Sequence, residues 1–130
     1  MLKVLPIQSK VEQEEICLRC RVHYNPDLLA YSATVDEELR GVCQFKLTAE
    51  GGEIHDLAPV EGTEDFEALF VLGRGTLNFI DLCGVHTARF VGKTDNEGLL
   101  RAVGFQQDEN GVWSINLEGF FTDHCSHHSS

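Results

Sequence analysis

Residues 63–83 constrain this chain more than any other segment. Phe66, Leu69, Phe70, Gly73, Leu77 and Ile80 recur at helical spacing, while Glu67, Arg74, Asn78 and Asp81 make one polar stripe. Val71, Leu72, Phe79, Leu82 and Cys83 fill the flanks, so the apolar surface is far wider than a simple stripe. A helix covered this broadly belongs across a sheet, with neighbours on both sides, and Gly84 ends it.

The rest of the chain supplies that sheet. Leu2, Val4, Leu5 and Ile7 form a first strand, and Ser9 is the cap candidate for a helix over 10–22 with acids early and Arg19 and Arg21 late. Leu29, Tyr31, Ala33 and Val35 then alternate, followed by Cys43, Phe45 and Leu47, which predicts a hairpin connected by 36–41. A turn at Glu50, Gly51 and Gly52 leads into a strand over 53–60. After the long helix, 85–91 is a strand, 96–103 a short helix stopped by Gly104, and 105–121 two strands around a turn at 108–111. The order is strand, helix, three strands, long helix, strand, short helix, two strands.

At 130 residues and 14.5 kDa, with 42% hydrophobic residues, the chain holds one core. We assign 1–122 to a single domain and 123–130 to a polar, His-rich tail. Ten Lys and Arg against twenty-one Asp and Glu leave a net charge of −11. Such a surface repels phosphate backbones and anionic headgroups, so neither nucleic acid nor a membrane is an expected partner. No stretch approaches the roughly 20 apolar residues that span a bilayer, and the first residues are too short and too lightly charged a run for a secretory signal. The expected location is cytoplasmic.

Five cysteines, an odd number spread through a chain with ample core material, suggest reduced thiols, with Cys43 and Cys83 as small buried hydrophobes. Cys17, Cys20 and His23 could hold zinc only if His124, Cys125, His127 and His128 folded back on the first helix. Paired zinc cysteines usually stand in a turn, whereas these fall inside a predicted helix, so we expect no metal, one buried thiol and one exposed. Phe120 and Phe121 are adjacent aromatics that a strand would point to opposite faces, and one must find cover. The first helix or a partner chain would supply it, and a homodimer is the expected assembly.

This element order, with three stretches of sequence, resembles the GNAT superfamily of acyl-CoA-dependent N-acyltransferases. The stretches are Leu39, Arg40, Gly41 and Val42 opening a central strand after an acidic turn; residues 53–59 leading into the long helix; and 99–105, ending in Gly104 and Phe105. The match runs from about Leu28 to Phe121. It implies an α/β (α+β) single domain in which helices flank a central mixed, mostly antiparallel sheet, with acetyl-CoA as the acetyl donor.

In such proteins the fourth strand and the next helix bind coenzyme A, and backbone N–H groups of a Gly-rich loop hold the pyrophosphate. Donors plus positive potential are the physical requirement. Carried onto this chain, the resemblance implies cofactor contacts at Leu57, Ala58, Val60, Gly62 and Thr63. The basic-glycine motif is missing: one glycine, Gly62, remains, and Glu61, Glu64, Asp65 and Glu67 put four carboxylates where two phosphates would sit. Helix capping is the expected role of these acids. The Gly73, Arg74, Gly75 run lies within the helical spacing, so its glycines are expected to allow close packing and Arg74 to be a cation on the polar stripe.

Many family members use a tyrosine on the short helix to protonate the leaving thiolate. Four residues before Gly104 this chain has Leu100, which cannot donate a proton, and Tyr31 is expected in the core. The base that deprotonates an ammonium could be Glu53, His55 or Asp56. Alternation places Glu53 and His55 on one face and Asp56 on the other, and Glu53 and His55 are the catalytic candidates. The first functional expectation is therefore transfer of an acetyl group from acetyl-CoA to an amine, a cationic small molecule or a lysine side chain given the charge. The second is a non-catalytic binding or regulatory module on the same fold. A third is thiol or metal handling by Cys17 and Cys20.

Overall fold

Local chemistry sets the first elements of the structure. The computed structural model describes residues 1–121. Strand β1 (Leu2–Pro6) ends at its proline, and the Ser9 hydroxyl accepts from Glu12 N to open helix α1 (Lys10–Arg19). The helix stops earlier than residue 22 because Arg21 takes a left-handed φ of +56° and Val22 N returns to Cys17 O, a closure usually built on glycine. Strands β2 (Leu29–Val35), β3 (Glu38–Thr48) and β4 (Gly51–Pro59) follow as a meander. The first turn is tighter than 36–41. Asp36 and Glu37 make it alone, both left-handed, which puts Arg40 and Gly41 inside β3.

Helix α2 (Phe66–Leu82) begins three residues later than the spacing suggests, because the Asp65 carboxylate caps Ala68 N. Strand β5 (Thr87–Phe90), helix α3 (Glu97–Val103), capped by Asn96 and stopped by Gly104, and the short strands β6 (Gln106–Gln107) and β7 (Trp113–Asn116) complete the chain. Among the described residues the seven strands form one sheet in the order β1-β2-β3-β4-β5-β7-β6. Every neighbouring pair is antiparallel except β4 and β5, which α2 joins as a crossover.

Helix α2 crosses one face of the sheet, and the main core lies there: Phe45, Ile54, Leu72, Leu77, Ile80, Leu100 and Val103 are all buried. Tyr31 belongs to it, stacked on Phe45 with ring centroids 5.8 Å apart. The helix glycines act as spacers. A Cβ on Gly73 would stand 3.0 Å from Val103 and 3.2 Å from Leu57, and one on Gly75 would stand 3.3 Å from Val4. Arg74 between them donates from Nε to Val103 O at 2.6 Å, and its guanidinium lies 4.9 Å from the ring centres of Phe70 and Phe120. Leu82 and Cys83, expected on the apolar flank, are exposed at the helix end.

Helix α1 covers the other face with less apolar material. Cys20, Ala30 and Val42 are buried there beside Ile7, Ile16, Val22, Ala58 and Val60. Both Cys17 and Cys20 are buried, not one of the two, and burial pushes their thiols up to about 11 and about 12. Phe120 and Phe121 sit in a turn after β7, not on a strand, and both pack against the α2-side core. Their cover is thus intramolecular and comes from the α2 side instead of α1, which removes the reason the two rings gave for a partner chain. The tail residues His124, Cys125, His127 and His128 lie outside the described residues. Among the described residues, no helix is long and apolar enough to cross a membrane and no His, Cys, Asp and Glu group could hold a metal ion.

Candidate active site

The site arises where β4 and β5 part. They pair over three positions, Gly52 with Ala88, Glu53 with Arg89 and Ile54 with Phe90, and Val91 N still reaches Ile54 O at 2.9 Å. At the next residue β4 carries a bulge. Phe45 of β3 pairs with Ile54 and Gln44 with Asp56, which leaves His55 as the extra residue. A Cβ on Gly92 would fall 2.0 Å from His55 O, so a glycine is needed where β5 turns away. Beyond this apex the rest of β4, to Pro59, has no strand beside it on the β5 side.

A cavity of about 840 Å³ opens along that bare edge. Leu57, Ala58 and Pro59 form its strand wall, Thr63 to Phe66 its helix end, and Lys93 to Asn96 with Leu99 its far side, while Cys20, Arg21 and Val22 close it from α1. Of the residues the resemblance implied, Leu57, Ala58 and Thr63 line this cavity. Val60 and Gly62 do not. Val60 packs into the α1-side cluster, and Gly62 turns at the surface with φ +81°. The Lys93 to Asn96 connection was invisible in the sequence, because a polar stretch between a strand and a helix carries no signal of what it faces.

Glu53 and His55 stand at the apex, outside the cavity lining. His55 Nε2 is buried without a hydrogen-bond partner, 3.5 Å from Glu53 Oε1, and Arg89 holds Glu53 Oε2 at 2.9 Å. The structure corrects the expected place of Asp56. The bulge resets the alternation, so Glu53, opposite Lys46, and Asp56, opposite Gln44, fall on the same face. Burial raises the Asp56 carboxyl above its ordinary range, and the hydrogen bond from Gln44 Nε2 at 2.6 Å partly opposes this. Gln44 Nε2 also donates to His23 O at 2.8 Å, and Gln44 Oε1 accepts from Gln13 Nε2 at 2.9 Å. Gln13 and Gln44 are wholly buried. The sequence held a trace of this chain of amides: Gln13 lies on the same helical stripe as Cys17 and Cys20.

Leu100 lies in the core, so no hydroxyl replaces the tyrosine at that place. A coenzyme A molecule would have to be held at two ends. Its pantetheine arm fits, since a chain with amides meets an unpaired strand edge over an apolar wall. Its diphosphate fits poorly because of charge, not for want of donors: the amides of Val60, Glu61, Thr63 and Ala68 have acceptors in the chain, but those of Glu64, Asp65 and Phe66 have none among the described residues. Glu64, Asp65 and Asp95 line the same end, and Arg21 is turned to Glu61 at 2.7 Å.

No protein-family model and no curated protein matches this sequence. Solved structures do. The ribosomal-protein-S18-alanine N-acetyltransferase of Escherichia coli superposes with a TM-score of 0.68 at 10% identity, covering 90% of this chain and 94% of that one. A Bacillus subtilis acetyltransferase in complex with CoA gives 0.67 at 17%, covering 90% and 99%. A spermidine/spermine N-acetyltransferase from Vibrio cholerae gives 0.71 at 10%, covering 95% and 99%. At these identities the likeness is one of fold, it extends over at least nine-tenths of the chain, and this chain has the GNAT fold.

Proposed function

We propose that the protein is an N-acyltransferase that moves an acetyl group from a pantetheine thioester, acetyl-CoA being the familiar form, to an amine. The observation that carries this reading is the parting of β4 and β5, with the unpaired His55 at its apex and a cavity along the bare edge of β4. An acceptor amine arrives as an ammonium and must lose a proton before it attacks. A neutral His55 imidazole with its proton on Nε2 faces the Glu53 carboxylate and keeps its lone pair on Nδ1, the atom that takes the amine proton. Arg89 fixes Glu53, whose Oε1 stands 3.5 Å from His55 Nε2. The amine nitrogen then bonds to the thioester carbonyl carbon and sheds its second proton to water as the C–S bond breaks and sulfur leaves as a thiolate. A thiol of ordinary pKa about 8.5 is a tolerable leaving group that regains its proton from water, so the chemistry survives a leucine at position 100.

The net charge of −11 favours a cationic acceptor such as a polyamine, an aminoglycoside or a lysine side chain. The spermidine/spermine enzyme among the structural relatives is in keeping with that. The test is an acyl-transfer assay with acetyl-CoA and acetyl-pantetheine against these amines, in the natural chain and in His55→Gln and Glu53→Gln. We expect an acetylated amine, a loss of about a hundredfold or more in kcat for His55→Gln, and a smaller loss with an altered pH profile for Glu53→Gln. Absence of transfer and of donor binding overturns the enzyme reading in favour of a non-catalytic module on this fold.

A further inference from the structure

The end of the cavity where a nucleotide diphosphate would lie is built against it by charge. Glu64, Asp65 and Asp95 face this end, Arg40 lies 3.7 Å from Asp65 and 3.4 Å from Glu38, and Arg21 pairs with Glu61. With Asp65 paired to Arg40, Lys93 is left against Glu64 and Asp95. The other end is the reverse, with a bare strand edge and the apolar walls of Leu57, Ala58 and Leu99.

We infer that the donor is gripped by its pantetheine arm alone and that the nucleotide diphosphate is disfavoured, so that the preferred donor is an acyl-pantetheine carrying few or no phosphates. This rests on the acyltransfer reading and names its donor class. Recognition then comes from the strand edge of β4 and its apolar wall, and each added phosphate meets the Glu64, Asp65 and Asp95 carboxylates. The transfer itself is unchanged: a C–N bond forms, the C–S bond breaks, and free pantetheine thiol is the leaving group.

The test is calorimetric titration of the full chain with pantetheine, 4′-phosphopantetheine and coenzyme A at low and at moderate salt. We expect pantetheine to bind about tenfold tighter than coenzyme A at low salt, phosphopantetheine to fall between them, and the gap to narrow as salt screens the repulsion. Glu64→Gln with Asp95→Asn, both at exposed positions, should tighten coenzyme A about fivefold or more and leave pantetheine unchanged. Coenzyme A binding as tightly as pantetheine, or tighter, overturns this inference and leaves the acyltransfer reading standing. Failure of all three to bind overturns both.

Discussion

The two faces of the sheet are built on opposite principles. On the α2 face, aromatic and branched side chains from the sheet interlock with Leu69, Leu72, Leu77 and Ile80, and even the glycines are used to bring elements closer. On the α1 face the buried centre is an amide relay, Gln13 to Gln44 to Asp56, with Lys10 Nζ bonding Gln13 Oε1 at 3.1 Å and Leu28 O at 2.6 Å. Apolar packing is tolerant in direction and supplies most of the stability. A buried polar relay has one satisfied arrangement, so it fixes geometry more than it adds free energy. The residues proposed for proton transfer adjoin the second face: Glu53 shares it with Asp56 by register, and His55 stands beside Glu53.

The contrast can be broken at its strong side first. Leu72→Ala, at a wholly buried position, should cost about 3–4 kcal/mol in urea unfolding, and a loss below about 1 kcal/mol would mean that the α2 face is not the main store of stability. Gln44→Ala should cost about 2–3 kcal/mol, because it takes one partner from Gln13 Nε2 and removes the Gln44 bonds of Asn25 N, His23 O and the Asp56 carboxyl together. Replacing Gln13 and Gln44 both by leucine should cost less than the two single changes added, and strict additivity in a double-mutant cycle would show that the relay is not a unit.

Smaller effects sharpen the edges of the picture. Asp65→Ala removes the cap of α2 and should lower stability by about 1 kcal/mol, read as a shift in the denaturation midpoint. His86 gives a pH signature away from both faces. Its hydrogen bond to Asp81 at 2.6 Å raises its pKa above the ordinary 6.5, so the folded state holds the proton more tightly than the unfolded chain. That contribution is fully present below about pH 6.5 and is lost as pH rises through the raised value in the folded state. The thermal midpoint of the natural chain relative to His86→Gln should therefore be highest in mild acid and converge in alkali.

The elements were legible because their signals are local. Ser9 caps α1 as its position suggests, Gly104 ends α3, and the wide apolar surface around Leu72 does lie across a sheet. Errors gathered where a long-range partner decides. Phe120 found a place beside Arg74 and Cys20 was buried by the sheet beneath it, whereas the start of α2 is a local exception, set by the Asp65 side chain on the amide three residues on. The candidate site was legible in part. Glu53, His55 and Leu57 were recognisable as neighbours on one strand, but nothing in their spacing announces an extra residue.

By itself the sequence determined the order of elements, the breadth of the α2 surface and the excess of acid around residue 64, since these follow from side-chain periodicity and charge along one chain. Tertiary structure alone decided which residue of β4 is the bulge, where β4 and β5 part, and which loop amides remain to meet a ligand. Strand register and backbone hydrogen bonding are agreements between segments far apart in sequence, and the closeness of Gly92 to His55 O exists only once both strands are in place.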